Sequence, residues 1–228
     1  MGATKPIFSF AIGVLLVGGL TGCSNLNRFE PAADSRPETS KVVEISVRPN
    51  SVEQVVLGEL YKQGLERKGR TATVNMDRLG IENNVDGLLQ SKTDMVVVCA
   101  GRVLHHLEPD LAEKLEKEYS SNEEEDINSG DRRETVYQAV MGAIGDNING
   151  ADPSNALGCS SEDSAIPQHI IPVYRSAVIN REERGVLNVI SGTITTEDLE
   201  KMVEKSRNGQ APADVVREYL DEQGVSFD

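Results

Sequence analysis

Apolar residues recur with two different spacings in the first half of the chain, and these spacings predict alternating strands and helices. Three short apolar runs are typical of buried strands, at 42–47, 72–76 and 95–98. Between them, apolar side chains recur every three or four residues, which predicts helices at 52–69 and 81–89. Ser51 can cap the first helix, with Gln54 as its reciprocal partner. This order predicts right-handed crossovers and an open parallel sheet.

The second half of the chain has mostly helical spacing, interrupted by one apolar stretch. Leucines recur every four residues from Leu107 to Leu115, and a charged segment then separates this row from the next helix. The patterns predict, in chain order, a helix at 107–119, a helix at 132–144, a loop at 145–158, a strand at 169–174 that returns to the sheet, and two helices at 196–206 and 212–223.

Composition and charge narrow the class of partner. The chain has 228 residues, of which 38% are hydrophobic and 26% charged, enough for one large domain or two small lobes. Its formal net charge is −14. Nucleic acid and anionic lipid surfaces repel such a protein, so we expect no nucleic-acid partner.

The N-terminus carries a targeting signal. An uncharged apolar run follows Lys5 and ends at Leu20, too short for a comfortable membrane span but suited to a signal-peptide core. The next residues, LTGC, resemble the lipobox of bacterial lipoproteins, in which the cysteine is lipidated. The resemblance implies a signal peptide at 1–22, a lipidated Cys23 and an extracytoplasmic protein anchored to the bacterial cell membrane by that lipid. A plain secretory signal or a membrane anchor is the alternative.

A flexible tether is predicted after the lipid anchor. The stretch 23–40 is rich in Ser, Asn, Pro and charge and has no apolar period, so we expect it to hold the folded part clear of the bilayer.

No pattern in the chain favours catalysis. His105 and His106 are adjacent and cannot both face one metal ion from a helix or strand. The segment from Asp126 alternates acidic and amide groups as a calcium loop does, but its glycine comes one place early and Tyr137 stands at the twelfth position. Cys99 has His169 as a conceivable base, without a protease signature nearby. We therefore predict no catalytic residues, no cofactor and no metal site.

Three segments together resemble a known family. The stretches 50–69, 88–101 and 187–220 are similar, in this order, to the first helix, a central strand and the C-terminal helices of substrate-binding proteins of ABC-type glycine betaine, choline and carnitine importers. The matching residues are Asn50, Glu53, Gln54, Leu57, Glu59, Leu60, Tyr61, Lys68, Gly69, Asp94 and Gly101. The resemblance implies an α/β, periplasmic-binding-protein-like lobe with a mixed or parallel sheet flanked by helices, and an ABC permease as partner.

The ligand cage of that family is missing from the matched positions. Quaternary ammonium ligands are held by aromatic faces. Where the family has a phenylalanine and two tyrosines, this chain has Ser51, Val96 and Cys99, and a later tyrosine aligns with His169. If a small polar or zwitterionic ligand binds, the resemblance places near it Asn50, Ser51, Cys99, Arg102, His169 and Tyr174.

The second lobe of the family is also shortened. The stretch between Gly101 and Pro167 is too short for a full five-strand lobe. We predict a discontinuous lobe made of 41–104 and 160–228, with 105–159 forming a reduced, mainly helical second lobe or an insert.

The predicted compartment determines the expected state of the cysteines. If Cys23 is lipidated, Cys99 and Cys159 remain, and an even pair in an oxidising compartment is expected to form a disulfide. Buried free thiols are the alternative.

Two functions remain open. The leading hypothesis is a lipid-anchored, substrate-binding-like component of an ABC importer of the glycine betaine and osmoprotectant class, with an altered or lost ligand cage. The alternative is a non-transport envelope lipoprotein that uses the lobe to bind a protein partner, with an enzyme as a distant third.

Overall fold

A five-stranded mixed sheet organises the chain. The computed structural model describes residues 41–76, 84–121, 126–159 and 164–224, together with Gly2. The strand order is β2-β1-β3-β5-β4, and the strands are β1 Val43–Ser46, β2 Ala72–Asn75, β3 Met95–Cys99, β4 Ile148–Gly150 and β5 Ile170–Arg175. These strands belong to one compact unit, Asp34–Asp228.

The parallel part of the sheet is the part that the sequence predicts. β1 pairs in parallel with both β2 and β3, as expected for strands joined by helical crossovers. The returning strand β5 is also present, but it runs antiparallel to β3, and β4 runs antiparallel to β5. The fold class is therefore confirmed as α/β with a mixed sheet flanked by helices.

Strand β4 corrects the prediction of a loop at 145–158. It is only 3 residues long and contains one apolar side chain, Ile148. So short a segment has no period to detect, and its extended form is stabilised by the backbone of β5, with Gly150 opposite Val173.

One face of the sheet is covered by four helices, which we call the first layer. Met95 and Val97 point into this side of the core, as alternate positions of one strand must. The four helices of this layer are α1 Val52–Arg67, α6 Arg181–Thr193, α7 Thr196–Arg207 and α8 Pro212–Glu222.

Local capping fixes where three of these helices, α1, α6 and α7, begin. Ser51 accepts a hydrogen bond from the backbone N of Gln54 at 3.3 Å, the predicted cap of α1. Asn180 and Thr195 form reciprocal capping boxes at the starts of α6 and α7.

The opposite face is covered by the second layer of helices. Val96 and Val98 point into this side, where they share a core with residues of all four helices. These helices are α2 Asn84–Leu89, α3 Ala100–Leu107, α4 Pro109–Ser121 and α5 Gly130–Ala143. The segment 105–159 therefore supplies α4, α5 and β4 to the same sheet and core as its flanking segments.

The N-terminal predictions lie outside the described residues. These are the signal peptide at 1–22, the lipidated Cys23 and the tether at 23–40. Within the described part of the chain, every helix is too short or too polar to span a bilayer.

Candidate functional site

A small cavity lies at the carboxyl edge of the parallel strands, where binding sites of α/β sheets are commonly found. β3 ends at Cys99, which is also the residue that precedes the first turn of α3. The cavity has a volume of about 20 Å³ and is lined by Arg48, Gln54, Val85, Val97, Val98, Cys99, Arg102, Val103 and Cys159. A cavity of this size accommodates roughly one water molecule, whereas sites for small organic ligands usually have about 300 Å³ or more.

The predicted disulfide is present in this cavity wall. Cys99 and Cys159 are bonded, with their Cα atoms 6.3 Å apart. Both residues are buried, at 2% and 5% exposure. In this state neither sulfur is a thiolate, so neither acts as a nucleophile or metal ligand.

Asn50 and Ser51, which precede α1, do not line the cavity. Asn50 lies in an exposed turn, and the hydroxyl of Ser51 is engaged in capping α1. Gln54, one turn further on, is 2% exposed and lines the cavity.

Arg102 does line the cavity, in the first turn of α3. The backbone amides of this turn are hydrogen-bonded to other residues of the chain. The first amides of α3 are bonded in order: Ala100 N to His169 O at 3.0 Å, Gly101 N to Pro167 O at 3.1 Å, and Arg102 N to Gln168 Oε1 at 3.1 Å. A Cβ at Gly101 would come within 2.6 Å of Gln168, so glycine permits this close approach. The helix N-terminus is therefore occupied by residues 167–169 and offers these donors to no ligand.

His169 is buried and does not line the cavity. It forms an isolated antiparallel bridge with Leu157 just before β5. Burial, helped by the positive charge of Arg133, lowers the pKa of His169 to about 4. Its ring nitrogens have no hydrogen-bond partner among the described residues. The imidazole is thus neutral at physiological pH and is no partner for Cys99.

Tyr174 lies at the far end of the sheet from the cavity. It is opposite Met95, whereas Cys99 is opposite Ile170 at the other end of β3. Tyr174 belongs to the core shared with the first layer, and burial raises its pKa to about 12. Of the six predicted ligand residues, the cavity therefore brings together only Cys99 and Arg102.

Three residues near this edge, Arg48, Glu53 and Gln54, were not predicted as site residues. The carboxylate of Glu53 accepts a hydrogen bond from Cys159 N at 3.0 Å. Donor atoms of Glu53, Cys99 and Cys159 all lie within 4.8 Å of one another. Glu53 and Gln54 were both visible as matched residues of the first-helix motif, but nothing local indicated which distant residues they would meet.

The two adjacent histidines serve separate partners. His105 Nε2 lies 3.3 Å from Glu116 on α4, and His106 Nε2 lies 2.7 Å from Asp86 on α2. They link α3 to its neighbours and do not converge on a shared site.

Comparison with known proteins agrees with this architecture. No family model matches the sequence, and no curated protein matches it significantly. The fold is similar to that of apo YehZ from Escherichia coli, with a TM-score of 0.58 and 11% identity over 81% of this chain and 99% of the other. It is also similar to a glycine betaine/carnitine/choline ABC transporter structure, with a TM-score of 0.56 and 11% identity over 82% of this chain and 100% of the other.

These similarities identify the fold. The chain has the periplasmic-binding-protein-like fold seen in structures of that transporter class, which confirms the fold expected from the three resembling segments.

Proposed function

We propose that the protein is a lipid-anchored, extracytoplasmic, substrate-binding-like component of an ABC importer of the glycine betaine class, in which the ligand cage has been lost. The observation that carries this proposal is the combination, in one chain, of the transporter-type fold with a water-sized cavity where a ligand is expected. A fold alone does not determine function. The loss of the ligand cage is therefore argued from the chemistry of the cavity.

The cavity offers none of the chemistry that holds a quaternary ammonium ion. Among the described residues, its lining consists of aliphatic, cysteine, arginine and amide side chains, without an aromatic ring. Each missing cation–π contact forgoes roughly 0.5–2 kcal/mol, so the loss of several weakens binding by orders of magnitude.

The disulfide also occupies the position from which a ligand would be held. Cys99 stands at the matched position of a family tyrosine, and its sulfur is bonded to Cys159. A side chain fixed in a covalent bond cannot reorient to contact a ligand.

We further propose that 105–159 is an insert in the sheet layer and not a lobe that closes over a ligand. Its helices α4 and α5 share a core with β3 and β5, and β4 extends the sheet. A closing lobe needs its own core and a hinge.

The partner-binding alternative is supported by the same packing. In this alternative, 105–159 does not close over a solute, and the chain is a non-transport envelope lipoprotein whose lobe binds a protein partner. The two hypotheses differ in whether solute import depends on the chain.

A thermal-shift screen tests the loss of the cage. The purified protein is heated with glycine betaine, choline, carnitine, proline betaine and amino acids in turn. We expect no stabilisation by the quaternary ammonium compounds, and a clear rise in melting temperature with any of them would contradict the proposal.

Uptake measurements separate the two hypotheses. Deleting the gene should reduce uptake of a labelled osmoprotectant if the chain serves an importer, even without binding the solute itself. Uptake equal to that of the parent strain favours the partner-binding alternative.

Fatty-acid labelling tests the anchor. Cys23→Ala should give an unlipidated precursor, because the sulfur that carries the acyl group is gone. Equal label in the variant and the parent protein would reject the lipoprotein assignment.

A further inference from the structure

We propose that the reduced form of this protein binds a thiophilic divalent cation, Zn²⁺ above all, through Cys99, Cys159 and Glu53. The inference does not depend on the transport proposal, because it concerns the disulfide and not the solute. The oxidised and metal-bound states would then be two exclusive states of one site.

The three donor groups already converge. Their ligand atoms lie within 4.8 Å of one another, and they come from three distant parts of the chain: the first turn of α1, the end of β3 and the segment before residue 160. Two thiolates and a carboxylate are ligand types that Zn²⁺ prefers. In a tetrahedral site, two sulfurs bound at about 2.3 Å are about 3.8 Å apart, so cleavage of the disulfide requires only a small separation of the two side chains.

Glu53 is held in position to act as a ligand. One carboxylate oxygen accepts the hydrogen bond from Cys159 N at 3.0 Å, which leaves the other oxygen for an ion. A Cβ at Gly158 would lie 3.1 Å from Cys99 Sγ and 3.3 Å from Glu53 Oε1, so the backbone passes close to both donors and a side chain here would require them to shift.

The backbone at Cys159 also has an unusual conformation. Its φ is 52°, in the left-handed region that a residue with a side chain seldom adopts. Such a conformation costs free energy and persists where surrounding contacts require it, and here it turns the sulfur toward Cys99.

The cavity supplies space for a fourth ligand. It adjoins both sulfurs and has room for about one water molecule, which suits the fourth ligand of a tetrahedral ion. Two thiolates, one carboxylate and Zn²⁺ carry a net charge of −1.

The chemical step balances with a dithiol as reductant. The dithiol gives two electrons and two protons, becomes a disulfide, and leaves two protein thiols at Cys99 and Cys159. Zn²⁺ then displaces both thiol protons to solvent as two Zn–S bonds form. Reoxidation would release the ion.

Metal titration of the purified protein tests this. The protein is reduced with a phosphine, which becomes a phosphine oxide with oxygen from water, and the reagent is removed without air. We expect one Zn²⁺ per reduced chain, with Co²⁺ giving thiolate-to-metal charge-transfer absorption, and neither signal with the oxidised protein. A reduced protein that binds no Zn²⁺, or binds no more than the oxidised protein, would overturn the proposal.

Matched variants locate the ligands. Glu53→Gln keeps an acceptor for Cys159 N and leaves the cysteines untouched, and it should weaken Zn²⁺ binding about tenfold or more because an anionic ligand becomes neutral. Glu59→Gln, on the same helix, should bind as the parent does. Equal affinities in both variants would contradict the three-donor site, and this comparison remains valid even if Cys159→Ser fails to fold.

Discussion

The two helical layers of this protein are held to the sheet in different ways. The first layer packs on the sheet through one continuous apolar core. The second layer has a smaller core and a covalent connection between distant residues. The disulfide closes a loop that contains α3, α4, α5 and β4, so most of the second layer lies inside this loop.

Polar contacts also tie the second layer together. Glu116 on α4 accepts hydrogen bonds from Ser164 and, at 2.8 Å, from Ala165 N. Arg133 on α5 donates to Ser154 O at 2.7 Å. Distant polar contacts also occur in the first layer, such as Tyr61 Oη with Ser191 Oγ at 3.1 Å. The covalent loop is therefore the feature that distinguishes the second layer.

The largest expected effect comes from breaking the disulfide. Cys99→Ser or Cys159→Ser should destabilise the protein by roughly 4 kcal/mol in the chain-entropy model for a loop of this length, although measured bridges often give less. The double variant should be no less stable than either single one, because each change removes the same bond. Denaturant unfolding measures the free energies.

Hydrogen exchange of the reduced protein sharpens the comparison. Amides of α4 and α5 should lose protection on reduction, while those of α1 and α8 keep it. Uniform loss in both layers would show that the two layers do not differ in this way.

A core substitution should affect the first layer nearly as strongly. Leu60 on α1 is fully buried, so Leu60→Ala removes apolar contacts and leaves a cavity that costs about 3 kcal/mol. Val189→Ala on α6 is the control, because Val189 is 42% exposed. Urea unfolding that gives equal midpoints for the two variants would contradict the placement of Leu60 in the core.

Acid should destabilise the protein through His169, whose pKa is lowered by burial and by Arg133 on α5. The unfolded pKa is 6.5 and the folded pKa is about 4, so the unfolded state binds the proton first as pH falls. Stability is retained above pH 6.5 and is lost between 6.5 and about 4, by roughly 2–3 kcal/mol. His169→Gln lacks this proton, so its stability should fall less than that of the parent over the same range. Parallel stability-versus-pH curves would show that His169 does not titrate in this way.

The smallest effect is expected at Glu116. Glu116→Gln weakens charge-assisted hydrogen bonds to Ser164 and Ala165 and should cost about 1 kcal/mol. Glu113→Gln is a matched control on the same helix, since Glu113 is exposed and pairs with Lys117. If both variants have the melting temperature of the parent protein, the contacts of Glu116 do not stabilise the second layer.

Sequence patterns predicted three of the four helices in each layer. Apolar periodicity and caps predicted α1, α7 and α8, because these helices bury one stripe each and begin at recognisable residues such as Ser51 and Pro212. Helix α6 of the first layer and helix α3 of the second were not predicted. The strand β4 was missed, because its extended form comes from pairing with β5 and not from its own residues. Helix α5 was found but begins at Gly130, where Ser129 caps it, and not at 132.

The only part of the candidate site that could be predicted is the disulfide, because two remaining cysteines allow only one pairing. The pairing of Cys99 with Cys159 followed from cysteine number and compartment, and the structure confirms the bond. The positions of Tyr174 in the first-layer core and of Glu53 beside Cys159 depend on how distant segments meet. No local pattern carries that information.

Calorimetric titration of the purified protein with glycine betaine tests the central claim, that a transporter-type fold here lacks its ligand cage. We expect no measurable binding at micromolar to millimolar concentrations, because a cavity of about 20 Å³ whose described lining lacks aromatic rings neither admits nor attracts a quaternary ammonium ion. A saturable isotherm with a dissociation constant in the micromolar range would contradict it.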